Sequence, residues 1–228
     1  MLDKIIVSSI IQVVIYIIYH DYRPIMVWTA IRPLTVLNMD LLLEGCEKMV
    51  LTYKECIERF GSDYMIKKEI SAGNLFQKEK GLYSDRILCT ELEIIAAKYP
   101  KAVFAGESAY YYYGFTDVIP DYYCLATRRG DTRIKDKSIK QIYVNDKLYD
   151  YGKCTMEYQS TNISIYSKER LLVDLIRFKS KYPFDYYKEI IGNYRRTVED
   201  LDFFSMEDYA GMLKHGKKIM DAIQLEVM

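Results

Sequence analysis

The sequence predicts an α+β fold: two short amphipathic helices and a lysine-tipped hairpin, then an α/β domain with a small sheet covered by helices. Three observations lead there. Over residues 53–84, two brief runs carry apolar residues at helical spacing, and a lysine-rich, glycine-bearing turn then joins two extended segments. Over residues 122–166, strand-like runs alternate with polar turns. From Lys168 onward helical stripes dominate, divided by Pro183. No internal repeat or low-complexity linker interrupts the chain. The expected organisation is an extension over 1–48, a first domain over 49–98 and a second over 99–228.

The extension is defined by residues 5–19 (IIVSSIIQVVIYIIY), which are apolar and β-branched. That run is shorter than the about 20 residues of a usual bilayer crossing. Asp3-Lys4 brings no net charge and HDYRP offers no small-residue cleavage site, so a signal peptide is disfavoured. A membrane anchor, a buried strand or helix, and a translated upstream region remain. The last is favoured, with Met39 or Met49 as the true start and the anchor as runner-up.

In the first helix Tyr53, Cys56, Ile57 and Phe60 fall on one stripe, with Lys54, Glu55, Glu58 and Arg59 on the other side. Thr52 suits the N-cap and Gly61 a left-handed stop. The second helix starts after Ser62-Asp63. On its wheel Tyr64, Lys67, Lys68 and Ser71 share a face, with Ile66 and Ile70 nearly opposite. Gly73-Asn74 ends it. Leu75-Phe76-Gln77 and Leu82-Tyr83 then form hairpin arms, with Lys78, Glu79, Lys80 and Gly81 at the tip. This is the layout of a winged helix-turn-helix, which holds one helix rigidly against a DNA groove and sets a loop on the phosphates beside it. The candidate DNA contacts are Tyr64, Lys67, Lys68, Ser71, Lys78 and Lys80. Solvated surface charge is the competing explanation, since Glu69 and Glu79 sit among the lysines. Four lysines in one such frame favour DNA.

Residues 85–98 (DRILCTELEIIAAK) read as a further helix with Ile87, Leu88, Leu92, Ile95 and Ala96 inward. Residues 101–114 give an entry segment and a helix ending at Gly114. The run Tyr110 to Tyr113 is explained by core packing better than by base stacking. Strands are expected over 122–127, 141–144 and 162–166, with polar turns between them. Helices are expected over 168–178, capped by Ser167 with Leu171, Leu172, Leu175 and Phe178 inward, over 184–194, and over 205–224.

Charge and cysteine usage narrow the function. Thirty-two Lys and Arg balance 32 Asp and Glu, which argues against a non-specific polyanion binder, so DNA affinity needs a local patch. Hydrophobic residues make up 50%, enough for a packed core. The five cysteines are scattered without a CxxC pair, and His20 and His215 are the only histidines. A zinc site and a disulfide framework are therefore not expected, and a reducing cytoplasm fits best. Neither histidine neighbours a nucleophile elbow, and GESAYYYYG lacks the context of a phosphate loop. Gly61-Ser62 lies between the two helices. Asp200 and Asp202 read as a solvated helix approach, so two-metal nucleotidyl transfer is disfavoured. No enzyme, metal or cofactor is expected. Arg128-Arg129 forms a basic loop after a strand, for which plain exposure competes with phosphate or partner binding.

Three motifs in order resemble the AbiEi-type antitoxins of type IV abortive-infection systems. They are GNLFQKEKGLYS at the hairpin, GESAYYYYGFTDVIP (Ser108, Ala109, Gly114, Phe115, Thr116, Pro120), and ISIYSKERLLVDLIRF (Ser167, Glu169, Arg170, Leu172, Asp174). The resemblance spans residues 49–228. It implies a cytoplasmic repressor whose winged domain binds inverted repeats in double-stranded DNA of its own promoter. It also implies that the C-terminal domain counteracts a nucleotidyltransferase-like toxin without a stable complex. A DNA-independent interaction protein of phage defence is the alternative. By place in the motif, the DNA-contacting positives map to Lys67, Lys68, Lys78 and Lys80, and Arg128 and Arg129 are candidate C-terminal basic contacts.

Overall fold

The computed structural model describes residues 50–228, which belong to one compact unit. The apolar extension and both internal-start candidates, Met39 and Met49, lie outside the described residues. The fold is mixed α+β, with two small sheets and surrounding helices. Among the described residues no helix is long and apolar enough to cross a membrane.

The first sheet has three antiparallel strands in the order β1-β3-β2. They are β1 (Val50–Thr52), β2 (Phe76–Glu79) and β3 (Leu82–Ser84). Between β1 and β2 run α1 (Tyr53–Phe60) and α2 (Asp63–Ser71). Leu51, Cys56, Ile66, Leu75 and Tyr83 close a small core beneath them. The hairpin differs from expectation. Lys78 and Glu79 belong to β2, and the turn is reduced to Lys80 and Gly81, with Gly81 at φ 81°. A bulge at Lys78 shifts the register, so Gln77 faces Tyr83 while Glu79 faces Leu82.

Residues 85–98 are not one helix. α3 spans Glu91–Lys98 because Thr90 accepts from Glu93 N (3.2 Å) and Glu93 reaches back to Thr90 N (2.8 Å), a capping box that fixes the start there. Ile87 and Leu88 stay in the loop before it, 63% and 80% exposed rather than inward. α3 packs against β1, β3 and a strand of the second sheet, β8 (Thr161–Tyr166), so it is shared by both sheets.

The second sheet has the order β6-β5-β4-β8-β7. β5 (Tyr123–Arg128) and β6 (Ile139–Val144) are parallel, as are the central β4 (Val103–Phe104) and β8; β4 and β5, like β7 (Lys153–Tyr158) and β8, are antiparallel. Two strands escaped the sequence reading. β4 has two residues, too few for a pattern. β7 is joined to β8 by Gln159 and Ser160, both at positive φ (48° and 61°). Such a turn normally carries Asn-Gly or Asp-Gly, so the usual hairpin signal is missing. A one-turn helix, α5 (Asp146–Tyr149), also lies in what reads as a turn.

α4 (Gly106–Tyr112) packs on β5 and on α6 (Lys168–Arg177). α6 is the central helix: Ser167 caps it, and Leu171, Leu172, Val173 and Leu175 are buried. Phe178 sits just beyond its end and is half-buried. α7 (Phe184–Arg196) follows Pro183. The expected helix over 205–224 is two helices, α8 (Phe203–Gly211) and α9 (Gly216–Val227). The chain reverses at His215, at φ 70°, and Gly216 meets Ala210 so closely that a Cβ would lie 1.9 Å from its carbonyl oxygen. α8 and α9 both pack on α6. Asp202 accepts from Phe204 N (3.0 Å) as the cap of α8, consistent with its reading as a helix approach.

The tyrosine run serves the core. Tyr110 is buried and donates to Leu171 O (3.1 Å), and Tyr112 meets Phe104 edge-on at 5.4 Å. Tyr194 likewise donates to Lys168 O (3.0 Å), so the hydroxyls of both these buried rings find backbone acceptors.

Candidate nucleic-acid interface

The site is built from β1 outward. Thr52 ends the strand and caps α1 in a capping box with Glu55, whose Oε2 accepts from Thr52 N at 2.8 Å. Gly61, at φ 83°, stops α1 by donating to Ile57 O (2.8 Å). Ser62 accepts from Met65 N (3.3 Å) and caps α2, which starts at the next residue. Two caps flanking one left-handed glycine thus set the angle between the helices. Ile66 is 1% exposed and anchors α2 in the small core. Cys56 is buried beside it, and burial raises its thiol pKa.

The opposite face of α2 carries the predicted residues, all exposed. They are not equivalent. Tyr64, 74% exposed, and Lys68 have no side-chain partner among the described residues. Lys67 pairs with Asp63 at 2.7 Å, and this contact raises its pKa. The Ser71 hydroxyl donates to Lys67 O (2.9 Å) on its own helix. Tyr64 and Lys68 are therefore the groups of this face free to meet a ligand.

The hairpin divides in the same way. Lys80 is exposed at the tip without a side-chain partner among the described residues. The bulged Lys78 turns back: its Nζ donates to Ile87 O at 2.6 Å and lies 5.4 Å above the Phe76 ring. Its charge is not displayed with that of Lys80, contrary to the expectation of two cations at one tip. Glu79 pairs with Lys98 (2.7 Å), which also pairs with Asp136 (2.8 Å) in the segment between β5 and β6. This triad ties the hairpin to α3 and the second sheet. Nothing in the local patterns signals it, because its members are 57 residues apart at the extremes, from Glu79 to Asp136.

Lys98 and then Ser138 hold the Asp136 carboxyl down at about 2. A lowered folded-state value means the contribution is complete above the ordinary carboxylate range and is lost as pH falls through about 2. The three side chains keep 24–43% of their surface, so solvent limits the contribution to about 1 kcal/mol. Lys98→Ala is expected to lower stability by about that amount near neutral pH, with the difference from wild type shrinking toward pH 2. Urea midpoints across that range measure it.

The basic loop after β5 also splits. Arg128 pairs with Asp150 (2.5 Å) and lies 4.5 Å over the Tyr149 ring, which assigns it to packing. Arg129 is exposed at the edge of a cavity in the second sheet. Among the described residues no cluster of His, Cys, Asp or Glu is arranged to hold a metal.

Comparison with known proteins adds the fold. No family model and no curated protein matches the sequence. Among solved structures the chain is similar to "Crystal structure of RV2827C protein from Mycobacterium tuberculosis", with TM-score 0.53 and 14% identity over 81% of this chain and 75% of that one. A likeness at this identity speaks for the mixed α+β fold alone.

Proposed function

We propose that this protein is a cytoplasmic, non-enzymatic DNA-binding repressor of the AbiEi antitoxin type. In this reading α2 and the β2–β3 hairpin bind inverted repeats in its own promoter. The C-terminal region over 99–228 counteracts a nucleotidyltransferase-like toxin without a stable complex. One observation carries the DNA reading: α2 is anchored by a buried Ile66 while Tyr64 and Lys68 stand on its other face with no side-chain partner among the described residues. The order strand, helix, helix, hairpin (β1-α1-α2-β2-β3) supports the same reading, since a winged helix-turn-helix needs a helix pair followed by a hairpin. The antitoxin part rests on the three motifs.

The reading is tested by titrating the purified chain onto a labelled duplex of its upstream DNA at several salt concentrations. The logarithm of the affinity is expected to fall linearly with log salt, and Lys68→Ala or Lys80→Ala to reduce that slope by about 1 each. Lys67→Ala is expected to do less, since Asp63 already neutralises that lysine. Binding indifferent to salt would count against the interface. In cells, the full chain carrying both Lys68→Ala and Lys80→Ala is expected to derepress its promoter yet still protect against the toxin. Loss of protection by these two changes would count against separate roles for the two regions.

A further inference from the structure

The second domain carries a partly open cavity of about 730 Å3 where the ends of β5 and β6 meet α6. Packed interiors leave few voids larger than a water, whereas ligand pockets occupy roughly 300–1,000 Å3. Neither the DNA reading nor the antitoxin reading uses this space.

Its chemistry is specific. Three guanidiniums line it, from Arg129, Arg170 and Arg177, against two carboxylates, from Asp131 and Asp174. One positive charge is thus left unbalanced. Both acids already serve the protein. Asp131 accepts from Arg128 N (2.8 Å), and Asp174 accepts from the Tyr209 hydroxyl (3.0 Å). Arg170 is spent on structure: it is 1% exposed, and its guanidinium lies 3.3 Å over the Tyr166 ring. Its buried Nε makes no hydrogen bond and meets the Asp174 carboxylate at 3.7 Å. Arg129 has no side-chain partner among the described residues, and Arg177 meets Asp174 at 3.8 Å, beyond hydrogen-bond length. Arg129 therefore remains for an incoming anion, and Arg177, which also lies 4.7 Å over the Phe178 ring, keeps guanidinium donors that its ion pair with Asp174 does not engage in a hydrogen bond. Tyr143 and Tyr182 are also among the residues that line this space, and an aromatic side chain there can supply a flat apolar face to a ligand's ring.

We propose that this cavity binds a small molecule in which a flat aromatic ring carries an anionic group, the class to which nucleoside monophosphates and aromatic carboxylates belong. Arg129 and Arg177 take the anion through charge-assisted hydrogen bonds, and Tyr143 and Tyr182 take the ring. A divalent cation does not suit the site, because three guanidiniums would repel it. A wholly apolar ligand would leave those donors without partners.

The test is calorimetric titration of the full chain with the four nucleoside monophosphates, benzoate, uncharged adenosine and inorganic phosphate. At least one aromatic anion is expected to bind with Kd below about 1 mM, tighter than adenosine or phosphate. A nucleoside monophosphate and benzoate as separate arms identify the source. Arg129→Ala combined with Arg177→Ala is expected to weaken that binding by about tenfold or more. Both residues are exposed, and thermal unfolding checks that the variant folds. Independently, in wild-type protein the ligand is expected to shift the ring resonances of Tyr143 and Tyr182. The proposal is overturned if no aromatic anion binds, if adenosine or phosphate binds as tightly, if the double variant binds equally well, or if the shifts fall on rings outside the cavity.

Discussion

Arg170→Ala is expected to be the most damaging single change in the second domain, lowering stability by about 3–5 kcal/mol. Arg170 NH1 donates to the carbonyls of Leu148 (2.7 Å), Tyr149 (3.4 Å) and Tyr151, which close the turn around α5. Its stem packs against Gly152, where a Cβ would come within 3.0 Å of the Arg170 Cβ. Truncation opens a cavity, strips three buried carbonyls of a donor, and removes the main opposing charge from Asp174. Burial already raises the Asp174 pKa against the pull of Arg170, Tyr209 and Arg177. Arg170→Lys separates the contributions, since it keeps a charge but loses the fork that spans the carbonyls and the stack on Tyr166. It is expected to recover part of the loss. Urea unfolding measures both, and a loss below about 1 kcal/mol for the alanine variant would show that the network is dispensable.

Ile66→Ala is expected to cost about 2–5 kcal/mol, and to do so locally. Its core consists of five buried side chains, so no reserve of packing surrounds the deleted atoms. The second core holds far more and is built on other elements. Amide exchange is therefore expected to accelerate over α1, α2 and the hairpin while α6 keeps its protection. DNA binding is expected to disappear with that order, although Ile66 touches no nucleic acid in the proposed reading. Uniform acceleration across the chain would mean that the two cores unfold as one.

The parts legible in the sequence are those specified by near neighbours. α1 and α2 follow from Thr52, Gly61, Ser62 and the placement of Cys56 and Ile66, all within or next to the two helices they specify. The same holds for α6, where Ser167 and the Leu171, Leu172, Leu175 stripe are sufficient. The errors arise where a distant partner or an uncommon backbone decides. The Leu88-bearing segment looks helical until the Thr90–Glu93 box starts α3 later. The break at His215 rests on the contact between Gly216 and Ala210. Of the candidate site, the exposure of the α2 face is legible in the sequence, but the states of its groups are not. Whether a lysine is free depends on Asp63 for Lys67 and on a bulge and a loop carbonyl for Lys78. The cavity is silent in the sequence because its arginines come from β5–β6 and α6, 41 to 48 positions apart.

In the proposed reading the outer face of α2 reads base sequence. It is tested most directly by competing the upstream duplex against a scrambled duplex of equal length, with wild type and with a Tyr64→Ala, Lys68→Ala double variant. Wild type is expected to prefer the upstream sequence by about 1,000-fold or more. The variant is expected to lose most of that preference with unchanged thermal stability, because both side chains are exposed and unpartnered among the described residues. Equal binding of the two duplexes by wild type, or full preference retained by the variant, would contradict it.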